Sequence, residues 1–174
     1  MRTLLLRSLF ARPVTIEAPA PEEAAIAELG SVLETQARKL FGRSIVIREV
    51  DAGSCNGCEL EIHALNNAVY DVERFGIRFA ASPRHADVLL VTGPVTRNMR
   101  VALERTYAAT PFPKWVVAAG DCACGCGVFA DSYATVGAVA KVVPVDLHIK
   151  GCPPRPIDLL KGLIALMDKA AAQP

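Results

Sequence analysis

Four cysteines, Cys55, Cys58, Cys122 and Cys152, stand shortly after short apolar runs, and the three loops that carry them lie far apart along the chain. Cysteines so distant in sequence meet only if the fold gathers several strand ends at one edge, and few architectures do that. From Ser44 onward the chain has the pattern of one that does. β-Branched runs at Ser44–Val50, Ile77–Ala80, Asp87–Thr92, Lys114–Ala119 and Lys141–Val145 read as buried strands. Leu60–Phe75, Asn98–Ala109 and Ile157–Ala171 read as helices, as does Glu22–Phe41, which Gly42 stops. Such alternation implies βα units with right-handed crossovers, hence an α/β fold with a mostly parallel sheet and helices on both faces. In an open parallel sheet the loops leaving the carboxyl ends of the strands share one edge, and ligands bind there. Cys55 and Cys58 follow the strand ending at Val50, Cys122 follows the one ending near Ala119, and Cys152 follows the run Val145–Lys150.

A length of 174 residues with 52% apolar content suits one core. The division expected is a basic amphipathic arm and linker over residues 1–21, then a single α/β domain over residues 22–174. In the arm Arg2, Arg7 and Arg12 interleave with Leu4, Leu5, Leu6, Leu9 and Phe10, a pattern that suits a membrane surface, a partner subunit or a frayed terminus. The balance of 19 basic to 18 acidic residues gives net +1, which argues against nucleic acid as a partner. Charged residues or proline interrupt every apolar run well short of the about eighteen residues a membrane-spanning helix needs. A mean hydropathy of +0.30 points to a surface partly covered by other subunits. Arg7 breaks the short leucine run at the start, so no secretory pattern is read, and a reducing compartment favours thiolate-metal chemistry over disulfides.

Thiolates are the soft ligands of iron-sulfur clusters, and four of them complete one four-iron four-sulfur cubane. Glycines at Gly53, Gly57, Gly120, Gly125, Gly127 and Gly151 flank the cysteines and permit tight turns and backbone N–H approach to cluster sulfur. Pro153, Pro154 and Pro156 stiffen the last loop. Two other readings of Cys55-Asn56-Gly57-Cys58 stay open: a structural zinc site, although Cys152 is solitary, and a redox dithiol. Neither accounts for both later cysteine loops. Cys124 and Cys126 suit small buried hydrophobes, with a swapped ligand as the alternative.

The segments Asp51–Glu61, Val91–Thr96, Gly120–Ala123 and Val145–Pro154 together resemble one family, the small subunits of nickel-iron hydrogenases and the related B-type (20 kDa) subunits of NADH-quinone oxidoreductase, complex I. The resemblance runs from about Ser44 to Met167. It implies a flavodoxin-like three-layer domain with one four-iron four-sulfur cluster on Cys55, Cys58, Cys122 and Cys152, Cys124 and Cys126 being the alternates. Complex I subunits carry two adjacent cysteines in the first motif, whereas hydrogenase small subunits have Cys-x-Gly-Cys, as Cys55–Cys58 does. The chain therefore resembles most the small subunit of membrane-associated, energy-converting hydrogenases, the formate hydrogenlyase type included. Periplasmic uptake enzymes add a twin-arginine leader and a second cluster domain, which are not read here.

That resemblance further implies an electron-transfer subunit of an oxidoreductase with no catalysis of its own. Its partners would be a catalytic large subunit holding the nickel-iron centre, a ferredoxin-like electron-transfer subunit and membrane subunits, on the cytoplasmic face of the cell membrane. The alternatives are a quinone-reducing complex I subunit, a structural subunit of a nickel-free relative, or a zinc-stabilised binding module. Glu59 and Glu61, close after the first cysteines, read either as proton-relay or interface carboxylates or as solvated or capping ones. His63 and His148 read as packing residues, and Arg97, Arg100 and Arg155 as solvated surface charge.

Overall fold

The computed structural model describes residues 23–172, so the expected arm lies outside the described residues. In chain order the elements are α1 (Glu23–Phe41), β1 (Ile45–Asp51), α2 (Gly57–Ala64), β2 (Ile77–Phe79), β3 (Val88–Thr92), β4 (Val95–Thr96) and α3 (Arg97–Ala109). They continue with β5 (Trp115–Ala119), α4 (Asp121–Gly125), β6 (Thr135–Gly137), β7 (Leu147–Ile149) and α5 (Pro156–Ala171).

Five strands form one sheet in the order β2-β1-β3-β5-β7, and every pairing in it is parallel. Strand order reverses between β1 and β3, the kind of switch point at which open α/β sheets bind ligands. The expected α/β fold is thus the observed one. Side chains alternate between two cores. Ile45, Ile47, Val88, Leu90 and Val117 pack with Leu33 of α1, Ile62 of α2 and Leu159, Leu160 and Leu163 of α5. On the other face Leu89, Val91, Val116 and Ala118 pack with Leu103 of α3, Ala123 and Val143. Both faces are covered, so a strand such as Val88–Thr92 is buried at every position and reads as a continuous apolar run. Each fully buried Leu or Ile in these layers contributes about 1.5–3 kcal/mol relative to exposure.

Two expectations need correction. The helix expected over Leu60–Phe75 ends at Ala64. Asn67 Oδ1 accepts the N–H groups of Val69 and Tyr70, a side-chain turn that competes with the helix, and Asp71 then takes a left-handed conformation before a short 3-10 turn at Val72–Phe75. The last strand is also displaced: it is Leu147–Ile149, not Lys141–Val145. Lys141 ends a 3-10 turn, and Pro144 has no N–H for a ladder. Pairing with β5 resumes at Asp146, whose N–H donates to Val116 O and whose Oδ2 accepts the Val116 N–H. The small antiparallel pair β4–β6 and the one-turn helix α4 have no counterpart among the expected elements.

A buried carboxylate fixes the amino end of the sheet. Asp87 accepts two hydrogen bonds from the Arg43 guanidinium, at 2.9 and 2.6 Å, and a third from the Val46 N–H at 3.0 Å. Asp87→Ala should therefore lower the unfolding free energy of the cluster-free protein in urea by about 2–3 kcal/mol, because it strands the Val46 N–H. Arg43→Ala, at a largely exposed side chain, should cost about 1 kcal/mol or less; equal losses would contradict this account of the bond.

Candidate metal centre

Each cysteine loop is shaped by the residues just before it. After β1, Asp51 Oδ1 accepts the N–H groups of Gly53 and Ser54, at 2.7 and 2.8 Å. Ser54 Oγ then accepts the Asn56 N–H, and Asn56, at φ 70°, turns the chain into α2. The turn leaves Cys55 exposed and Cys58 buried. After β3, Gly93 presses against this loop: at φ 70° a Cβ there would lie 2.7 Å from Ser54 N, so only glycine fits without a backbone shift. After β5, Gly120 turns at φ 95° and passes so close to Cys58 that a Cβ would sit 2.6 Å from its Sγ. After β7, Gly151 and Cys152 complete the edge.

These loops meet at one cavity of about 130 Å³, lined by Cys55, Cys58, Cys122 and Cys152 together with glycine backbone and Asp121. All six cysteines are free thiols. Burial pushes the Cys58 thiol up to about 12, and Glu59 and the other three cysteines of the cavity push it the same way. The Cys122 thiol is also raised, by burial and then by Cys152, against a lowering hydrogen bond from the Val128 backbone. Four mutually repelling sulfurs without a cation favour the neutral thiol, and a bound cationic metal core reverses that preference.

Cys124 and Cys126 stand apart from this cavity. The Cys124 thiol donates toward the carbonyls of Ala118 and Ile149, at 3.6 and 3.7 Å, beneath the ends of β5 and β7. Cys126 is buried and holds φ 70°, a backbone conformation that glycine adopts more readily. Neither lines the cavity.

Glu59 is buried, and neither of its carboxylate oxygens has a hydrogen-bond partner among the described residues; it is not the solvated carboxylate of the simpler reading. Glu61 is half-buried. His63 and His148, expected to pack, are exposed instead: His63 faces a neighbouring cleft with Arg48 and Glu49, and His148 projects from the edge strand β7. Arg97, Arg100 and Arg155 are exposed as expected, with Arg100 paired to Glu104 and Arg155 to Asp158. Sequence reasoning quotes Gly93 and Asp121 within motif segments, Gly93 in a loop at the same edge, but assigns neither a role of its own. The Gly120-Asp121-Cys122 and Gly93-Pro94 turns are visible in the sequence, but which loop each touches is not.

A family model described as NADH ubiquinone oxidoreductase, 20 kDa subunit, matches residues 55–166. The chain is similar to a probable membrane-bound hydrogenase subunit of Pyrococcus furiosus, with 46% identity over 76% of this chain and 80% of that one. It is 48% identical to formate hydrogenlyase subunit 7 of Escherichia coli over 71% of its length, and the match spans about half of that longer relative, 49%. The B-type subunit of NADH-quinone oxidoreductase from Citrifermentans bemidjiense is 49% identical over 66% of each chain. Among solved structures, a chain of an archaeal membrane-bound sulfane sulfur reductase, a respiratory membrane complex, superposes with a TM-score of 0.65 at 38% identity, covering 79% of this chain and 74% of that one.

In the cluster-free protein at neutral pH, iodoacetamide should label the exposed Cys55 and Cys152 first and Cys58 last, as read by peptide mass mapping. Early labelling of Cys58 would contradict the burial and the raised thiol described above.

Proposed function

The chain belongs to the 20 kDa subunit family of NADH ubiquinone oxidoreductase, and from that premise we propose that Cys55, Cys58, Cys122 and Cys152 hold one four-iron four-sulfur cluster. Through it the subunit passes single electrons between a catalytic large subunit and a donor or acceptor subunit of a membrane-associated complex. The convergence of four thiols from three loops on one cavity carries this reading. The donor set is all sulfur, as such clusters require. Thiols spread around a cavity suit a polynuclear core better than one tetrahedral zinc.

When bound, the cluster supplies one-electron chemistry at a potential set by burial, hydrogen bonds to sulfur and nearby charge. The chain's own residues provide those settings. Gly93 and Gly120 bring backbone to van der Waals distance of the cysteine loops. Glu59 places negative charge against Cys58 and so favours the oxidised state. Cys55, Cys152 and Pro153 are exposed at the rim, with Leu60 exposed on α2 nearby in sequence, a surface for the large subunit to cover. Among the described residues no helix is long and apolar enough to cross a membrane, and membrane attachment is assigned to partner subunits.

Of the two branches of the family, the Cys55-Asn56-Gly57-Cys58 spacing favours the hydrogenase branch. The nickel-iron centre then sits in the large subunit, with a ferredoxin-like subunit at the other end of the electron path. A complex purified through a tag on this chain should contain stoichiometric nickel and reduce a dye with hydrogen. A nickel-free complex that reduces quinone would move the chain to the complex I branch, and one that does neither would leave it a structural subunit of a nickel-free relative.

The ligand assignment is tested separately. Cys152→Ser should abolish the visible iron-sulfur absorbance of the anaerobically reconstituted chain, whereas Cys124→Ser and Cys126→Ser should retain it; the opposite pattern would reassign the ligands.

A further inference from the structure

We infer that Asp121 is a positioning residue that locks the Cys122 loop to the Cys152 loop and so sets the separation of those two thiols before any metal arrives. The inference rests on the cluster reading above and deepens it. The two loops leave adjacent strands, with β5 and β7 in register at Val117↔Leu147, Ala118↔His148 and Ala119↔Ile149. One more ladder bond follows, from the Gly120 N–H to Ile149 O at 2.8 Å, and then Gly120 turns away at φ 95°.

Two strands that diverge at this point would ordinarily lose contact. Here they keep it through one residue. The Asp121 N–H donates to Gly151 O at 2.8 Å, and the Gly151 N–H donates back to Asp121 Oδ1 at 2.9 Å. The carboxylate stands in for the backbone acceptor that a continuing parallel ladder would have offered. The next residue on each side is a cavity cysteine, Cys122 after Asp121 and Cys152 after Gly151. The clamp therefore acts one residue from each thiol.

Asp121 also lines the thiol cavity, so its carboxylate stands beside the four sulfurs. Geometry and charge can be separated by substitution. Asparagine keeps an acceptor oxygen for Gly151 and loses the charge; alanine loses both. A residue that served only to start the one-turn helix α4 would affect neither the Gly151 amide nor the cluster.

The test uses the full chain, reconstituted anaerobically with ferrous iron and sulfide, as wild type, Asp121→Ala and Asp121→Asn. A hydrogen bond to a charged group is worth about 1.5–3 kcal/mol, so Asp121→Ala should release iron to a ferrous chelator about tenfold or more faster than wild type. Asp121→Asn, which keeps a weaker neutral bond, should release iron at a rate between wild type and Asp121→Ala, yet show a higher midpoint potential, because a negative charge beside the cluster is gone. In the cluster-free protein, hydrogen exchange at the Gly151 amide should accelerate about tenfold or more in Asp121→Ala, with the Gly120 amide unchanged. Wild-type iron retention and unchanged Gly151 exchange in Asp121→Ala would overturn the clamp. So would iron loss in Asp121→Asn as fast as in Asp121→Ala, since charge alone would then explain it. If Asp121→Ala does not fold, the retention and potential of Asp121→Asn decide. Wild-type protein that takes up no iron and sulfide would instead sink the cluster reading, and the Gly151 exchange rate would still report on the clamp.

Discussion

Parallel pairing of β1, β3, β5 and β7 is the constraint on which the rest of the molecule depends. Each strand is held to its neighbour in a fixed register, so the loops after all four strands emerge at one edge. Cysteines remote in sequence thereby become neighbours without a local knuckle or finger. The same pairing requires cover on both faces, which α1, α2 and α5 give on one side and α3 with its companions on the other. A register slip of one residue in β5 or β7 would exchange core and opposite-face side chains and also carry Cys122 or Cys152 away from the cavity.

That edge is costly to the stability of the chain. A buried thiol beside a buried carboxylate and three further sulfurs is poorly placed to ionise, and the Cys58 thiol is correspondingly raised to about 12. Buried Glu59, with no partner on either oxygen among the described residues, adds to the cost. The surroundings are tight as well as apolar: glycine backbone fills the places where any Cβ would collide with Ser54 or with the Cys58 sulfur. The cluster proposed for this cavity would relieve that cost by neutralising the sulfurs.

Much of this is legible in the sequence, for physical reasons that can be named. Strands covered on both faces appear as short, largely apolar runs, so the runs Ser44–Val50, Asp87–Thr92 and Lys114–Ala119 fall within a residue of the observed strand limits. Topology alone then places the cysteines that follow them at one edge. Elements governed by side-chain turns are not legible. The Asn67 turn cuts short a helix that periodicity extends to Phe75, and the bonds of Asp146 to Val116, rather than the valine run before it, lead into the last strand. Within the site, Asp121 looks like an ordinary residue beside a cysteine, because its partner, the Gly151 amide, comes from a loop thirty positions on. The burial of Glu59 is likewise hidden, since the eight-residue helix that carries it is too short for periodicity to show which side meets the core.

Chemical analysis bears most directly on the central claim that four thiols at one sheet edge hold one iron-sulfur cluster. Iron, zinc and acid-labile sulfide should be measured in the anaerobically purified full chain, with an electron paramagnetic resonance spectrum of the reduced protein. About four irons and about four sulfides per chain, with a reduced-cluster signal, are predicted. A colourless protein containing zinc and no sulfide would contradict it.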